Sequence, residues 1–378
     1  MTEPRAADDL REAAARFRRA LADLAPRPMR LMEVCGTHSH VIGRLGVRDL
    51  LPPQVKLLSG PGCPVCVTAP GEIDAIIELA RRPGVVLCTF GDMMRVPGSA
   101  PAGEAPSTLS QEKARGAQVQ VIYSALQAVE IASERPDSEV VLVGVGFETT
   151  APTVAAAVLE AERRRLPNFT LLALHKLVPP ALAALLSAGD VQVDGLLCPG
   201  HVSTIIGADA YRPLVAKYHL PCVIAGFEAT DVMAGILRLA EQVQSGRADL
   251  ENVYGRAVSP AGNQRALGLM NTVFAPVAAV WRGLGAIPGS GLRLREQYQQ
   301  YDAVARHAIA VAVVPEPAGC CCGAVLRGAL SPDECPSFGT RCTTQTPVGP
   351  CMVSSEGSCA AQWRYGARGE TAREGVRS

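Results

Sequence analysis

The sequence predicts an α/β protein, built as two parallel-sheet α/β domains plus a smaller cysteine-rich domain. Three observations carry this expectation. Near-continuous apolar runs alternate with segments of helical periodicity, the pattern of parallel strands covered on both faces. The 378 residues exceed one ordinary core, at ~100–200 residues per domain. Seven of the 13 cysteines fall in the last 59 residues, a stretch with few apolar residues to bury and therefore in need of a metal or covalent staple.

In chain order, residues 1–24 read as an amphipathic helix with neither the apolar run nor the cleavage pattern of a signal peptide. VKLLSGPGCPVC (55–66) reads as a short buried strand entering a tight loop, and GVVLCTFGDMMRVPG (84–98) repeats that pattern. Between them, APGEIDAIIELARR (69–82) has proline and acid at its start, helical apolar spacing and arginines at its end, which completes a strand, helix, strand unit. Residues 119–134 read as a further helix. SEVVLVGVGFETTAPTVAAAVLEAERR (138–164) is a strand whose glycine-rich end opens a helix, and the alternation continues through NFTLLALHKLVPPALAALL, VDGLLCPGHVSTIIG and LPCVIAGFEATDVMAGILRLAEQV. The expected division is 1–130 for the first α/β domain, 131–265 for the second and 266–378 for the cysteine-rich domain. The end of the chain, ARGETAREGVRS, reads as a solvated tail.

Composition excludes several classes of function. Thirty-six basic residues balance 36 acidic ones with no long run of like charge, so nucleic acid is not an expected partner. No apolar stretch reaches the ~18 residues of a membrane span. The expectation is a cytoplasmic protein whose thiols are kept reduced, and an odd cysteine total argues against a fully paired disulfide framework.

Two groups of thiols stand out. Cys320, Cys335, Cys342 and Cys359 are separated by 14, 6 and 16 residues, loop-scale intervals able to wrap one site. Cys322 and Cys351 then remain as a nearby redox pair, with Cys321 in excess. Spacing alone leaves zinc and an iron–sulfur cluster both open. Upstream, Cys35 in CGTH, with His38 and His40 following, and Cys63 and Cys66 in GPGCPVC offer soft ligands on glycine-marked turns. Fewer than four protein ligands would leave a metal with positions open to other groups.

Other polar positions have blander readings. GVGFETT lacks the third glycine and the later acid of a dinucleotide fingerprint, so NAD is not expected; Glu148 and its threonines either cap the next helix or line a cleft. His201 reads as a helix-start residue, and Cys88, Cys198 and Cys222 as core residues. Asp92, Arg95 and Glu228 read as ion-pair or cap residues.

Together CGTH, GPGCPVC, TFGDMMRVPGS, GFETTAP, CPGHVS, AGFE, CCGAVLRG, FGTRCT and GPCMVSSEGSC resemble the HypD family of [NiFe]-hydrogenase maturation factors over nearly the whole length. The resemblance implies a scaffold, rather than a turnover enzyme, on which Fe(II) carrying two cyanides and one carbon monoxide is assembled. It implies a complex with a HypC-type chaperone, cyanide delivery by HypE with HypF, and transfer of the unit to the hydrogenase large subunit. It further implies two α/β domains and a third domain with a [4Fe-4S] cluster similar to that of ferredoxin-thioredoxin reductase. Cys35 would be the principal iron ligand, with Cys63 and Cys66 at the same metal site. Cys320, Cys335, Cys342 and Cys359 would hold the cluster, the adjacent Cys321 leaving the first ligand open by one residue and the intervals favouring Cys320, and Cys322 and Cys351 would be its redox pair. His38 and Thr37 would orient ligands or hydrogen-bond cyanide nitrogen. The rival expectations are a stand-alone iron–sulfur thiol–disulfide oxidoreductase and a structural zinc module.

Overall fold

A computed structural model describes residues 3–100 and 104–366, with side chains from residue 12 onward; ARGETAREGVRS lies outside the described residues. The strands are β1 (Met29–Glu33), β2 (Val55–Ser59), β3 (Val85–Thr89), β4 (Gln118–Val121), β5 (Glu139–Gly144), β6 (Phe169–Ala173), β7 (Gly195–Pro199), β8 (Cys222–Ala225), β9 (Leu250–Asn252), β10 (Phe274–Trp281) and β11 (Gly285–Leu294). They form a five-stranded sheet, β2-β1-β7-β8-β9, and a four-stranded sheet, β4-β3-β5-β6, both parallel. The expected α/β class with two parallel sheets is therefore present.

The apolar runs follow from burial on both faces. In the four-stranded sheet Val86, Cys88, Val140 and Leu142 pack on one side against helices Ala125–Glu134 and Ala151–Arg164. Leu87, Val141 and Val143 point the other way, into a core shared with Met32, Leu196, Cys198, Cys222 and Ile224 of the five-stranded sheet. The outer face of that second sheet, with Leu31, Leu197 and Val223, is covered by helix Ala229–Ser245 and by Phe17 and Leu21 of the first helix.

The structure differs from the sequence expectations in four respects. The sheets are interleaved along the chain: the five-stranded sheet takes strands from 29–59 and 195–252, and the four-stranded sheet takes 85–173, so consecutive segments 1–130 and 131–265 do not follow the sheets. Helix Pro70–Arg81 accordingly leaves one sheet at β2 and enters the other at β3 instead of completing a unit within one sheet. The segment 119–134 starts as strand β4 before its helix, because Val119 and Val121 pair with Leu87 and Thr89. Finally, β10 and β11 form an antiparallel hairpin within the segment 266–378, where no strand was expected, and β1 was not anticipated.

The hairpin matters for position. Its end is tied to the CPVC turn by Arg282, whose backbone N–H donates to Val67 O (2.8 Å) and whose Nε donates to Thr68 O (3.0 Å). Gly283, at φ +79°, lies so close to Gly323 that a Cβ there would sit 2.4 Å from its Cα. Among the described residues no helix is long and apolar enough to cross a membrane.

Candidate functional site

Parallel strands place their following loops on one edge. In the five-stranded sheet the chain leaves β1 to one side for β2 and returns on the other side as β7, so the edge beyond β1 and β7 is a topological switch point, where α/β sheets bind ligands. CGTH follows β1, GPGCPVC follows β2, CPGHVS follows β7 and AGFE follows β8. The motifs thus meet because the sheet is parallel, not because they are close in sequence.

Cys35 is extended (φ −150°) and stands as N-cap of helix Gly36–Arg44. Its backbone rests directly on Gly62: Gly36 N–H donates to Gly62 O (2.7 Å), and a Cβ on Gly62 would lie 2.2 Å from Cys35 N. Only glycine permits that approach, which seats CGTH beside the CPVC turn. Burial pushes the Cys35 thiol up to about 12, against the helix N–H groups of His38 and Thr37 and with reinforcement from Glu356 and Glu33. Such a thiol keeps its proton in the apolar setting, and a bound cation is what would favour the thiolate.

Around it, Glu33 accepts from Cys35 N–H (3.1 Å) and from Ser39 Oγ, and burial raises its carboxyl to about 7 despite Ser39 and Arg48. His38 is fully buried, and burial lowers it to about 4, leaving a neutral ring. Its Nε2 lies 2.9 Å from Gly226 O, an obligatory acceptor, so Nε2 carries the hydrogen and Nδ1 a lone pair with no hydrogen-bond partner. Phe227 lies between two imidazoles, with its ring centroid 4.9 Å from His38 and 3.9 Å from His201. His201 Nδ1 is 3.5 Å from Thr37 Oγ1, so this residue faces the β1/β7 crevice instead of serving only as a helix start.

Cys63 and Cys66 differ from expectation. Both are buried, 3% and 0% exposed, and joined in a disulfide across a turn with Cα atoms 5.2 Å apart. In this oxidised form neither offers a thiolate to a metal, and reduction must precede ligation.

The cysteine-rich segment is organised by short turns. Cys320, Cys321, Cys322, Cys335, Cys342 and Cys359 line one small cavity, with Val325, Phe338 and Met352 around them. Cys322 donates to Cys320, which lowers the Cys320 thiol to about 7, and Arg282 assists; Cys322 itself is held well above its usual range. Cys322 also contacts Cys351 and Cys359, and Cys351 contacts Cys359, so two of the expected ligands, Cys320 and Cys359, are connected with the expected redox pair. Gly349 closes the cavity, since a Cβ there would stand 2.6 Å from Cys320 Sγ and 2.8 Å from Cys322 Sγ. Among the described residues no three side chains stand in a ready-made metal-binding arrangement. The donor set is entirely thiol, which is the chemistry an iron–sulfur cluster requires.

This segment joins both thiol sites. Helix Pro64–Val67, carrying Cys66, packs against helix Cys322–Leu326 and the turn Pro350–Met352, which carry Cys322 and Cys351. Helix Ser358–Tyr365 packs on helix Gly36–Arg44. Thr37 Oγ1 donates to Glu356 Oε1 (2.7 Å), and Ser354 Oγ donates to Asp92 Oδ2 (2.8 Å). Arg95 donates to Thr344 O. Asp92 and Arg95 therefore fasten the segment to the loop after β3.

Other positions lie apart. Glu228 begins helix Ala229–Ser245 with its backbone N–H donating to Asp231 (3.3 Å). Glu148 accepts from Val178 N–H (2.9 Å), at the start of a later helix and not of the one after GFETT. Cys88, Cys198 and Cys222 are buried in strands. Glu33, Phe227 and Glu356 were not anticipated as site residues; an acid two residues before Cys35 was the available signal for the first.

Comparison with known proteins identifies the family. Residues 10–366 match the HypD family model, described as "Hydrogenase formation hypA family". The chain is 47% identical over 346 residues to "Hydrogenase maturation factor HypD" of Azotobacter vinelandii, covering 90% of each. It is 46% identical over 362 residues to the protein of that name from Rhizobium leguminosarum bv. viciae, covering 94% of this chain and 92% of the relative. The Escherichia coli (strain K12) protein of the same name is 44% identical over 346 residues, 91% of each. The motifs gathered at the sheet edge and in the cysteine-rich segment are thus those of a chain that belongs to the HypD family, whose relatives are hydrogenase maturation factors.

Proposed function

We propose that this chain is a cytoplasmic scaffold for building the Fe(CN)2CO unit of a [NiFe]-hydrogenase. The iron unit is cargo, held by Cys35 together with a cysteine of a HypC-type chaperone; cyanide arrives from a HypE complex, and the finished unit passes to the hydrogenase large subunit. Cys320, Cys335, Cys342 and Cys359 hold a [4Fe-4S] cluster, which supplies electrons when bound.

The observation that carries this reading is the packing of the Cys63–Cys66 turn on the elements bearing Cys322 and Cys351. In the exchange it supports, Cys322 and Cys351 become a disulfide as Cys63–Cys66 becomes a dithiol, so two electrons and two protons pass inward with nothing left over. The freed Cys63 and Cys66 then join Cys35 at the metal site. His38, held by Gly226 O, and Thr37, held by Glu356, follow Cys35 in the chain and would orient the iron's exogenous ligands.

The stand-alone oxidoreductase reading draws on the same disulfide. Burial of both sulfurs argues against it, because a protein substrate has no access to them. The test is anaerobic purification with the chaperone. Cys35→Ala is expected to abolish the cyanide and carbonyl infrared bands while leaving the cluster's visible absorption, and bands that persist overturn the assignment. Reduction of insulin by the chain without the chaperone would instead support the oxidoreductase.

A further inference from the structure

Seven thiols lie in the C-terminal segment, and the cluster with its redox pair uses six, which leaves Cys321. Three features give it a place. It lines the same cavity as Cys335, Cys342 and Cys359. Its thiol pairs with the Cys335 thiol, an interaction stronger than the one it has with Cys320. Both residues, like Cys320, are half-buried, whereas Cys342 and Cys359 are buried. The two are also held together independently of sulfur: Ser337 Oγ donates to Gly319 O (2.7 Å), which clamps the loop entering the cysteine run to the turn that follows Cys335. Gly319, at φ +81°, makes the bend that this clamp needs.

We infer that Cys321 is a reserve ligand for the cluster corner held by Cys335, an inference that rests on the cluster reading above. Two sulfurs in contact reach one iron position with little backbone movement, so replacing one by the other asks only for a side-chain turn. The exchange balances simply. The Fe–S bond to Cys335 breaks and that to Cys321 forms, the proton released by the Cys321 thiol is taken by the departing Cys335 thiolate, and no oxidation state changes. Cys320 is packed against Gly349 and Cys322, and the thiols near Cys359 belong to the proposed redox pair.

The test uses the full chain purified anaerobically, with iron and acid-labile sulfide measured per chain. Cys335→Ser is expected to retain most of the wild-type iron and sulfide, with a shifted electron paramagnetic resonance spectrum after reduction, while Cys321→Ser/Cys335→Ser loses both. If Cys335→Ser is as empty as Cys342→Ser, the inference is overturned. A second readout does not depend on yield. Brief alkylation with iodoacetamide followed by mass spectrometry should label Cys321 in the loaded wild type and leave it protected in loaded Cys335→Ser; equal labelling of Cys321 in both refutes the exchange. A wild-type chain without labile sulfide would sink the cluster reading itself, whereas a loaded wild type beside an empty Cys335→Ser sinks only the reserve-ligand role.

Discussion

Substituting Gly62 by alanine tests how the Cys35 site is built. The new Cβ would lie 2.2 Å from Cys35 N, 2.4 Å from Cys35 Cα and 2.5 Å from Val34 C, all backbone atoms that no rotamer change can move. Favourable separations are ~3.5–4.0 Å, so the two loops must part by about an ångström or more. That movement breaks the hydrogen bond from Gly36 N–H to Gly62 O, now 2.7 Å long. Overpacking costs ~1–3 kcal/mol and the lost hydrogen bond ~1 kcal/mol, together roughly 2–4 kcal/mol. At about 2 °C per kcal/mol for a chain of this size, thermal unfolding should fall by roughly 4–8 °C. The parted loops should also expose Cys35, only 6% accessible in the intact site, to alkylation. Gly255→Ala is the control, since nothing stands within 4 Å of its Cβ position and its backbone is not left-handed; its expected effect is within ~1 kcal/mol. If Gly62→Ala melts with Gly255→Ala and Cys35 stays protected, the close approach of the two loops is not what holds the site.

Three further outcomes are expected. Denatured without reductant, the apo-protein should titrate 11 thiols, and 13 after reduction, with Cys63→Ser/Cys66→Ser removing the difference; 13 before reduction would contradict the disulfide. Lys176→Met strands the buried Glu72 carboxylate that Lys176 now neutralises, and should cost ~3–5 kcal/mol in denaturation, much of it recovered by adding Glu72→Gln; a single variant as stable as wild type shows the pair to be idle. Burial raises the Glu148 carboxyl from 4.5 to about 7, so its contribution to stability is complete below the unfolded value and is lost as pH rises through the folded one. That amounts to roughly 3 kcal/mol across the window. Denaturation of Glu148→Gln should therefore depend less steeply on pH between 4.5 and 7, and parallel curves would refute the shift.

Strands buried on both faces were readable because they lack polar interruptions, as in VVLCT and GLLCP. β1 was not, because MRLME carries Arg30 and Glu33, and its membership is decided by pairing with β2 and β7 on its two sides. The hairpin escaped notice for a similar reason. Its first strand alternates partly buried and exposed residues and contains Pro276, and it is held by Trp281 Nε1 donating to Ser290 Oγ (2.9 Å) and by Arg282 reaching the CPVC turn. The interleaving of the sheets was equally hidden, since local periodicity says that a strand exists but not which sheet accepts it.

For the site, the identities of the chemical groups were legible and their neighbours were not. CGTH, GPGCPVC and the seven late cysteines announce soft-ligand groups by residue type and spacing, and together with TFGDMMRVPGS, GFETTAP, CPGHVS and AGFE they carried the resemblance to the family. That Cys35 sits on Gly62, that Thr37 meets Glu356 across 319 positions, and that the Cys63–Cys66 turn packs on the elements bearing Cys322 and Cys351 depend on how two interleaved sheets and a late segment pack together. Residue type sets what a thiol can do. Burial and contact made at long range, which no local pattern encodes, decide which thiols are brought together and which one stands apart.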